Sequence, residues 1–176
     1  MHEPLVVTLI GTDRPGIVAR LAALAADAGA NWQDSKMARL AGKFAGIVCL
    51  DVPAESRARL EQSLVQLDAE GLALTIQQGA LQAKPEPHRI FVEIIGHDRP
   101  GIVRDISAVL ARHRVSIDEL DTDIESASMA GGQLFRARTL LLLPDEIELA
   151  ALRFDLEAIA DELMVELTLD ISRNDD

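Results

Sequence analysis

The sequence predicts an α+β fold in which one β-α-β-β-α-β unit occurs twice. The octapeptide Gly-Thr-Asp-Arg-Pro-Gly-Ile-Val at residues 11–18 returns as Gly-His-Asp-Arg-Pro-Gly-Ile-Val at residues 96–103, with seven of eight residues identical. The same order of strand-like and helix-like apolar patterns surrounds both octapeptides. A chain of 176 residues with 48% hydrophobic residues is long enough to bury two small cores.

Each element of the first copy has its own local signal. A run of β-branched and aliphatic residues before the octapeptide predicts a strand, and the apolar residues after it recur at a helical period. A later alternation of apolar and polar residues is typical of a half-buried strand. The predicted elements are a strand at 5–10, a helix through Ile17, Leu21, Leu24 and Ala28, strands at 31–40 and 43–52 joined at Ala41-Gly42, a helix through Leu60, Leu64 and Leu67, and a strand at 72–76.

The second copy repeats these signals with a longer hairpin. A hairpin can join the central strand pair, while strands separated by a helix need a crossover, so each copy should be a ferredoxin-like sandwich: a four-stranded antiparallel sheet with both helices on one face. The predicted elements are a strand at 90–95, a helix through Ile102, Ile106, Val109 and Leu110, strands at 115–127 and 133–143 around Ala130-Gly131-Gly132, a helix from Leu149 to Leu163, and a strand through Val165, Leu167, Leu169 and Ile171.

The two copies define the expected domains. The first is predicted at residues 1–79 and the second at residues 89–176. Between them, residues 80–88 contain Lys-Pro-Glu-Pro, whose composition is typical of a stiff, extended connector.

The charge balance argues against direct nucleic-acid binding. The formal net charge is −12, and a nucleic-acid-binding surface needs a cationic footprint. Residues 1–84 contain 8 basic and 9 acidic residues. Residues 85–176 contain 9 basic and 20 acidic residues, so most of the negative charge lies in the second copy. Acidic side chains at odd positions between 119 and 125 fall on one strand face, which we interpret as a solvated acidic face.

Cysteine, histidine and hydropathy patterns argue against a disulfide, a metal site and a membrane-spanning segment. The single cysteine, Cys49, excludes an internal disulfide and a cysteine-based zinc cluster, and it is expected to be a small buried hydrophobic residue. The four histidines show no metal-ligand spacing, so neither a metal nor a cofactor is expected. The N-terminus lacks a signal-peptide pattern and the leucine run at 140–143 is too short to span a bilayer, so we expect a cytoplasmic protein without membrane contact.

The Asp-Arg-Pro-Gly turn has a chemistry that suits a zwitterion. Pro15 and Pro100 fit the first position of the following helix. The exposed N–H groups and positive dipole at the start of that helix favour a carboxylate, while Asp13 or Asp98 would attract an ammonium group. The alternative at this point is that both aspartates only cap their helices.

The octapeptide on a strand-to-helix turn resembles the signature of the ACT domain, a small βαββαβ module that binds amino acids. The first copy is also similar to the glycine cleavage system transcriptional repressor family, whose members are tandem ACT proteins. The residues that carry this similarity are Ile10-Gly11-x-Asp13-Arg14-Pro15-Gly16-Ile17-Val18, Gly29-x-Asn31-x-x-Asp34-Ser35 and Met37-Ala38-x-Leu40.

This resemblance implies a set of ligand-binding residues. ACT domains bind ligand at the interface of two copies, with the strand-to-helix loop and a polar residue at the start of the second strand. Asn31 matches the usual asparagine, whereas Ser116 departs from it with a shorter side chain and fewer hydrogen-bonding groups. The implied residues are Gly11, Asp13, Gly16 and Asn31 in the first copy, and Gly96, Asp98, Gly101 and Ser116 in the second.

The resemblance also implies a function. The expected protein is a non-enzymatic, homodimeric sensor of a small amino acid, with glycine favoured, that represses transcription by contacting a DNA-binding regulator protein. The two copies leave no room for a catalytic domain, and the sequence contains no P-loop or dinucleotide fingerprint. Two alternatives remain: a regulatory subunit of an amino-acid biosynthetic enzyme and a stand-alone tandem ACT protein that binds amino acids.

Overall fold

The computed structural model describes residues 1–67, 71–79, 88–126 and 132–170. The chain divides into two compact units, residues 1–83 and 84–176. Each unit holds one four-stranded antiparallel sheet and two helices in the order β-α-β-β-α-β. The predicted fold of two ferredoxin-like units is therefore confirmed. The expected connector at 80–88 lies, apart from His88, outside the described residues.

The first unit has the strand order β2-β3-β1-β4. The central strands β1 and β3 pair along their whole lengths, so their inward side chains form the middle of the sheet's core face. The elements are β1 (His2–Thr12), α1 (Ile17–Asp27), β2 (Asn31–Leu40), β3 (Lys43–Pro53), α2 (Arg57–Val65) and β4 (Leu72–Gln78).

The second unit repeats this topology with the strand order β6-β7-β5-β8. The tip of its central hairpin, residues 127–131, and the predicted strand residue Ile171 lie outside the described residues. The elements are β5 (His88–His97), α3 (Ile102–Arg112), β6 (Ser116–Ser126), β7 (Gln133–Leu143), α4 (Leu149–Leu163) and β8 (Val165–Asp170).

Each core lies between one sheet face and the two helices of its unit. Alternate strand residues and one helical stripe point into it, as the period-2 and period-3.6 patterns require. Burying one leucine side chain contributes about 1.5–3 kcal/mol, and aliphatic residues supply nearly all of this packing. Fully buried side chains include Leu5, Leu21, Leu50, Leu60 and Leu64 in the first unit, and Ile90, Leu141, Leu152 and Leu156 in the second.

The short loop of the first hairpin has the backbone conformation that strand twist favours. Ala41 and Gly42 have φ values of 48° and 76°, which place both loop residues in the left-handed region. Two positive φ values are typical of a type I′ turn, whose twist matches that of the flanking strands. The predicted hairpin at Ala41-Gly42 is therefore present, with Leu40 paired to Lys43.

The structure corrects two predictions: the burial of Cys49 and the residue at which the helix after the Asp-Arg-Pro-Gly turn begins. Cys49 is half-buried and faces away from the helices, because its neighbours Val48 and Leu50 occupy the core face of β3. Helices α1 and α3 begin at Ile17 and Ile102, with Gly16 and Gly101 as their N-caps. Pro15 and Pro100 therefore lie before the helices and not at their first positions. Over the described ranges, no helix is both long enough and apolar enough to cross a membrane.

Candidate functional site

The two Asp-Arg-Pro-Gly turns connect β1 to α1 and β5 to α3. In each turn, the backbone N–H of the aspartate donates a hydrogen bond to the hairpin that follows in the same unit. The N–H of Asp13 donates to the carbonyl of Gly42 at 3.0 Å, and the N–H of Asp98 donates to that of Gln133 at 2.9 Å. These bonds hold both turns in equivalent positions beside the strand ends.

A glycine in the left-handed region begins each of the two helices. Gly16 has a φ of 94° and Gly101 a φ of 106°, and each is the N-cap residue of its helix. Because glycine has no side chain, neither N-cap residue makes a side-chain capping hydrogen bond. The N-cap residue of each helix is therefore the glycine, which lies three residues after Asp13 or Asp98, and the first N–H groups of each helix have no intrahelical acceptor.

The carboxylate of Asp13 pairs with the guanidinium of Arg39, near the end of β2. The distance from Nη1 to Oδ2 is 3.3 Å, and the side chains are 72% exposed for Arg39 and 31% exposed for Asp13. The cross-strand register places Ile124 at the position in the second unit that Arg39 occupies in the first. Within the described residues, Asp98 has no ion-pair partner. The equivalent aspartates therefore differ in their electrostatic surroundings.

The second turn has a different pair of charges. Arg104 donates to both carboxylate oxygens of Asp105, at 2.7 and 3.2 Å. This hydrogen bond, together with the nearby charges of Arg104 and Arg99, holds the pKa of the Asp105 carboxyl below its ordinary value, although desolvation opposes the shift.

The Arg104–Asp105 pair also lies close to the backbone of the second turn. A Cβ on Gly101 would be 3.2 Å from the Arg104 guanidinium and 3.4 Å from the Asp105 carboxylate. The first unit has Ala19 and Arg20 at these two positions, and nothing lies within 4 Å of the corresponding point on Gly16. The first turn is thus open, while the second already has a carboxylate of its own near the helix start.

Gly11 and Gly96 are explained by close packing between strands. A Cβ on Gly11 would lie 2.6 Å from the carbonyl oxygen of Gly71, and one on Gly96 would lie 2.5 Å from Cγ1 of Val165. Any larger residue would push the last strand of the unit away from its neighbour. Gly11 and Gly96, both predicted as site residues, therefore allow the first and last strands of each unit to pack closely next to the turn.

Asn31 and Ser116 do not lie beside the turn of their own unit. Asn31 pairs with Asp51, which pairs with Pro4 near the start of β1, whereas the turn follows the other end of that strand. Seven residues separate Pro4 from Gly11, a distance of roughly 24 Å along the strand. Ser116 pairs with Leu142 and has the same placement in the second unit. Of the predicted ligand-binding residues, only those in and next to the Asp-Arg-Pro-Gly turn therefore lie close together within one unit.

Several charged residues near the turns were not in the predicted set. Arg39 could have been found from the hairpin register, which places it level with Gly11. Arg104 and Asp105 lie three and four residues after Gly101, within the first turns of the helix, where charge matters most. Arg99 donates to the carbonyl of Glu162 near the end of α4, at 3.2 Å, and not to a carboxylate. The described residues contain no group of three metal-ligating side chains.

Sequence comparison matches both units to one family. A model of the ACT domain matches residues 3–77 and 88–170. The chain belongs to the ACT domain family. The octapeptide turns therefore occupy the strand-to-helix loops of two tandem ACT domains.

Relatives of the tandem ACT chain include a named regulator. The chain is 31% identical to the glycine cleavage system transcriptional repressor of Escherichia coli (strain K12) over 119 residues. These residues are 66% of this chain and 62% of the repressor. The match thus spans somewhat less than two thirds of that relative. This agrees with the resemblance of the first copy's motifs to the repressor family.

Two solved structures share the tandem architecture over nearly the whole chain. A protein of unknown function from Galdieria sulphuraria is 28% identical, covers 97% of this chain and 98% of its own, and has a TM-score of 0.83. A structure assigned to a glycine cleavage system transcriptional repressor is 21% identical, covers 97% of both chains and has a TM-score of 0.70. The second likeness is evidence for the fold alone.

Proposed function

We propose that this tandem ACT protein is a non-enzymatic regulator that senses a small amino acid through the turn of its first unit. The observation that carries the proposal is the open backbone at Gly16, with a φ of 94° and, apart from its neighbours along the chain, no atom within 4 Å of the place a side chain would take. Asp13 lies three residues before this glycine and supplies a carboxylate.

The chemistry of the turn suits both charged ends of an amino acid. The ligand's carboxylate would accept hydrogen bonds from the first N–H groups of α1, where the helix dipole favours an anion. Its ammonium group would bind the Asp13 carboxylate in place of the exposed Arg39 guanidinium. A small ligand such as glycine fits this arrangement, in line with the name of the repressor to which the chain is similar.

The second unit is proposed to bind the same ligand weakly or not at all. The Arg104–Asp105 ion pair already lies beside Gly101 at the start of α3, so it takes up space that an incoming carboxylate would need. The first turn of α1 has no acidic residue. Asp98 and Gly101 therefore serve as a matched internal control for Asp13 and Gly16.

Regulation is proposed to operate through protein contact. A chain with a net charge of −12 repels the phosphate backbone, so repression of transcription requires a separate DNA-binding regulator as partner. We also propose that the regulator is a homodimer. Purification from native extract tests the partner class: a DNA-binding protein is expected, and a large biosynthetic enzyme would instead favour a role as an enzyme's regulatory subunit.

The sensing function is tested by thermal unfolding of the full chain with each of the twenty amino acids. At 100 times its Kd a ligand stabilises the protein by about 2.7 kcal/mol, which should raise the Tm by roughly 5–11 °C. The shift should disappear in Asp13→Asn and persist in Asp98→Asn. If no amino acid shifts the Tm of the unmodified chain, the sensing proposal is wrong.

A further inference from the structure

The helix-free face of the first sheet is apolar at its centre and carries exposed aliphatic side chains. Ile10 is 53% exposed and Ile47 is 45% exposed, although both lie on central strands. Cross-strand pairing joins the outward residues into one patch, which we call the first outer face. Its central residues, none of them charged, are Val6, Thr8, Ile10, Ala38, Ala45, Ile47, Cys49, Ala73 and Thr75.

The second sheet has charged side chains at the equivalent positions. Thr8 pairs with Ile47 in the first unit, and the corresponding pair in the second unit is Glu93 with Arg138. The Glu93 carboxylate lies 3.5 Å from Arg138 and 3.9 Å from Arg136, whose counterpart is Ala45. The same face of the duplicated fold is therefore ionic in one unit and neutral in the other.

Charged residues of the first sheet lie around this neutral patch. Asp34 and Lys36 are on the edge strand β2, and Asp51 lies near the end of β3, where it bonds to His2 at 3.1 Å. An apolar centre surrounded by polar groups is the usual organisation of a protein–protein interface. The small side chains at the centre would also let a second sheet approach to about 10 Å.

We infer that the first outer face binds the same face of a second copy of this chain. Two molecules with a net charge of −12 each repel one another, so close contact is least unfavourable where both surfaces are neutral. A twofold axis brings the same patch of both copies together. The four strands, with their charged residues included, cover roughly 600 Å² at about 3.3 Å per residue and 4.8 Å between strands, and the neutral centre is about half of that area. Two such faces reach about the 1,200 Å² that specific interfaces start from.

This inference rests on the proposed homodimer and does not depend on amino-acid binding. Sedimentation equilibrium of the full chain should give twice the chain mass of 19.1 kDa. Ile47→Arg places on the first outer face the residue type that the second sheet has at Arg138, and the mass should fall by half. Thr8→Glu should act in the same way, because Glu93 is its counterpart.

Phe154→Arg is the matched control. Phe154 lies on α4 and is 71% exposed, so this variant gains the same charge at another exposed apolar position and should stay dimeric. Circular dichroism checks that each variant is folded. A wild-type mass of 19.1 kDa would overturn the dimer itself. Dimeric Ile47→Arg and Thr8→Glu variants would overturn only the assigned face, and neither result would bear on the amino-acid sensor.

The Cys49 thiol supplies a second readout on the same face. It is half-buried between Val6 and Asp34 on the neighbouring strands. In the wild-type chain, its reaction with a thiol reagent should slow as the protein concentration rises, because the dimer covers it. In Ile47→Arg the rate should be faster and independent of protein concentration, and equal rates in the two proteins at every concentration would contradict the inference.

Discussion

Arg39 lies 3.3 Å from Asp13 in the first unit, and the equivalent position in the second unit is occupied by Ile124. In the proposed binding mode, a ligand's ammonium group would take the place of this guanidinium beside Asp13. Because the Arg39 side chain is largely exposed, solvent screens the pair and its contribution to stability is small. The pair therefore partly neutralises the Asp13 carboxylate and contributes little to the stability of the fold.

Removing this competing cation should strengthen amino-acid binding. Exposed ion pairs contribute about 0.2–1 kcal/mol, so Arg39→Ala should lower the Kd by up to about fivefold. Isothermal titration calorimetry with the amino acid found in the thermal screen measures the change. An Arg39→Ala variant that binds more weakly would mean that Arg39 itself contacts the ligand's carboxylate.

Gly11 and Gly16 should respond to alanine for different physical reasons. Gly16→Ala forces a side chain into the left-handed region without a clash and should cost about 1 kcal/mol of unfolding free energy. Gly11→Ala meets the Gly71 carbonyl at 2.6 Å and should cost about 2–3 kcal/mol through strand displacement. Urea denaturation measures both, and a smaller loss for Gly11→Ala than for Gly16→Ala would contradict the packing role.

Asp105 should titrate below the ordinary range of aspartate. Its hydrogen bonds from Arg104 lower its pKa in the folded chain, so its contribution to stability is present above the unfolded carboxyl's pKa and is lost as the pH falls through the folded value. Carboxyl NMR should show this low midpoint, and Arg104→Ala should raise it. An unchanged midpoint in Arg104→Ala would show that another group causes the shift.

Thr139 should be sensitive to loss of its hydroxyl. It is buried on the core face of β7, and its Oγ1 donates to the carbonyl of Glu119 at 2.8 Å, beside a bulge in β6. Thr139→Val keeps the shape but leaves that carbonyl without this donor, which should cost about 1 kcal/mol in urea denaturation. Thr122→Val, an exposed control on β6, should change stability by less than about 0.5 kcal/mol.

The order of elements and the composition of both cores follow from local sequence patterns. Leu5, Val7 and Leu9 alternate, so one strand face is buried whatever the rest of the chain does. Ile17 and Leu21 recur at the helical period and enter the core from α1. The repeated octapeptide likewise predicts two equivalent turns, because a strand end, a glycine and a helix start are neighbours in sequence.

Helix starts and side-chain direction depended on the three-dimensional arrangement. The left-handed conformation of Gly16 moves the beginning of α1 past Pro15. The pairing of β2 with β3 carries Asn31 to the sheet end opposite the Asp13 turn, a separation that a linear motif does not show. Cys49 faces outward because the core side of β3 is taken by its two neighbours.

The sequence by itself determined that this protein is two copies of one α+β unit, each with an Asp-Arg-Pro-Gly turn, since apolar periodicity and turn residues act over short distances. Tertiary structure decided how the copies differ. Arg39 meets Asp13, Arg104 and Asp105 lie beside Gly101, and one outer face is neutral while the other is ionic. The Arg39–Asp13 contact and the two outer faces depend on cross-strand register, which brings together residues that are distant in sequence. Arg104 and Asp105 reach Gly101 because the first turns of a helix bring residues three and four positions apart together.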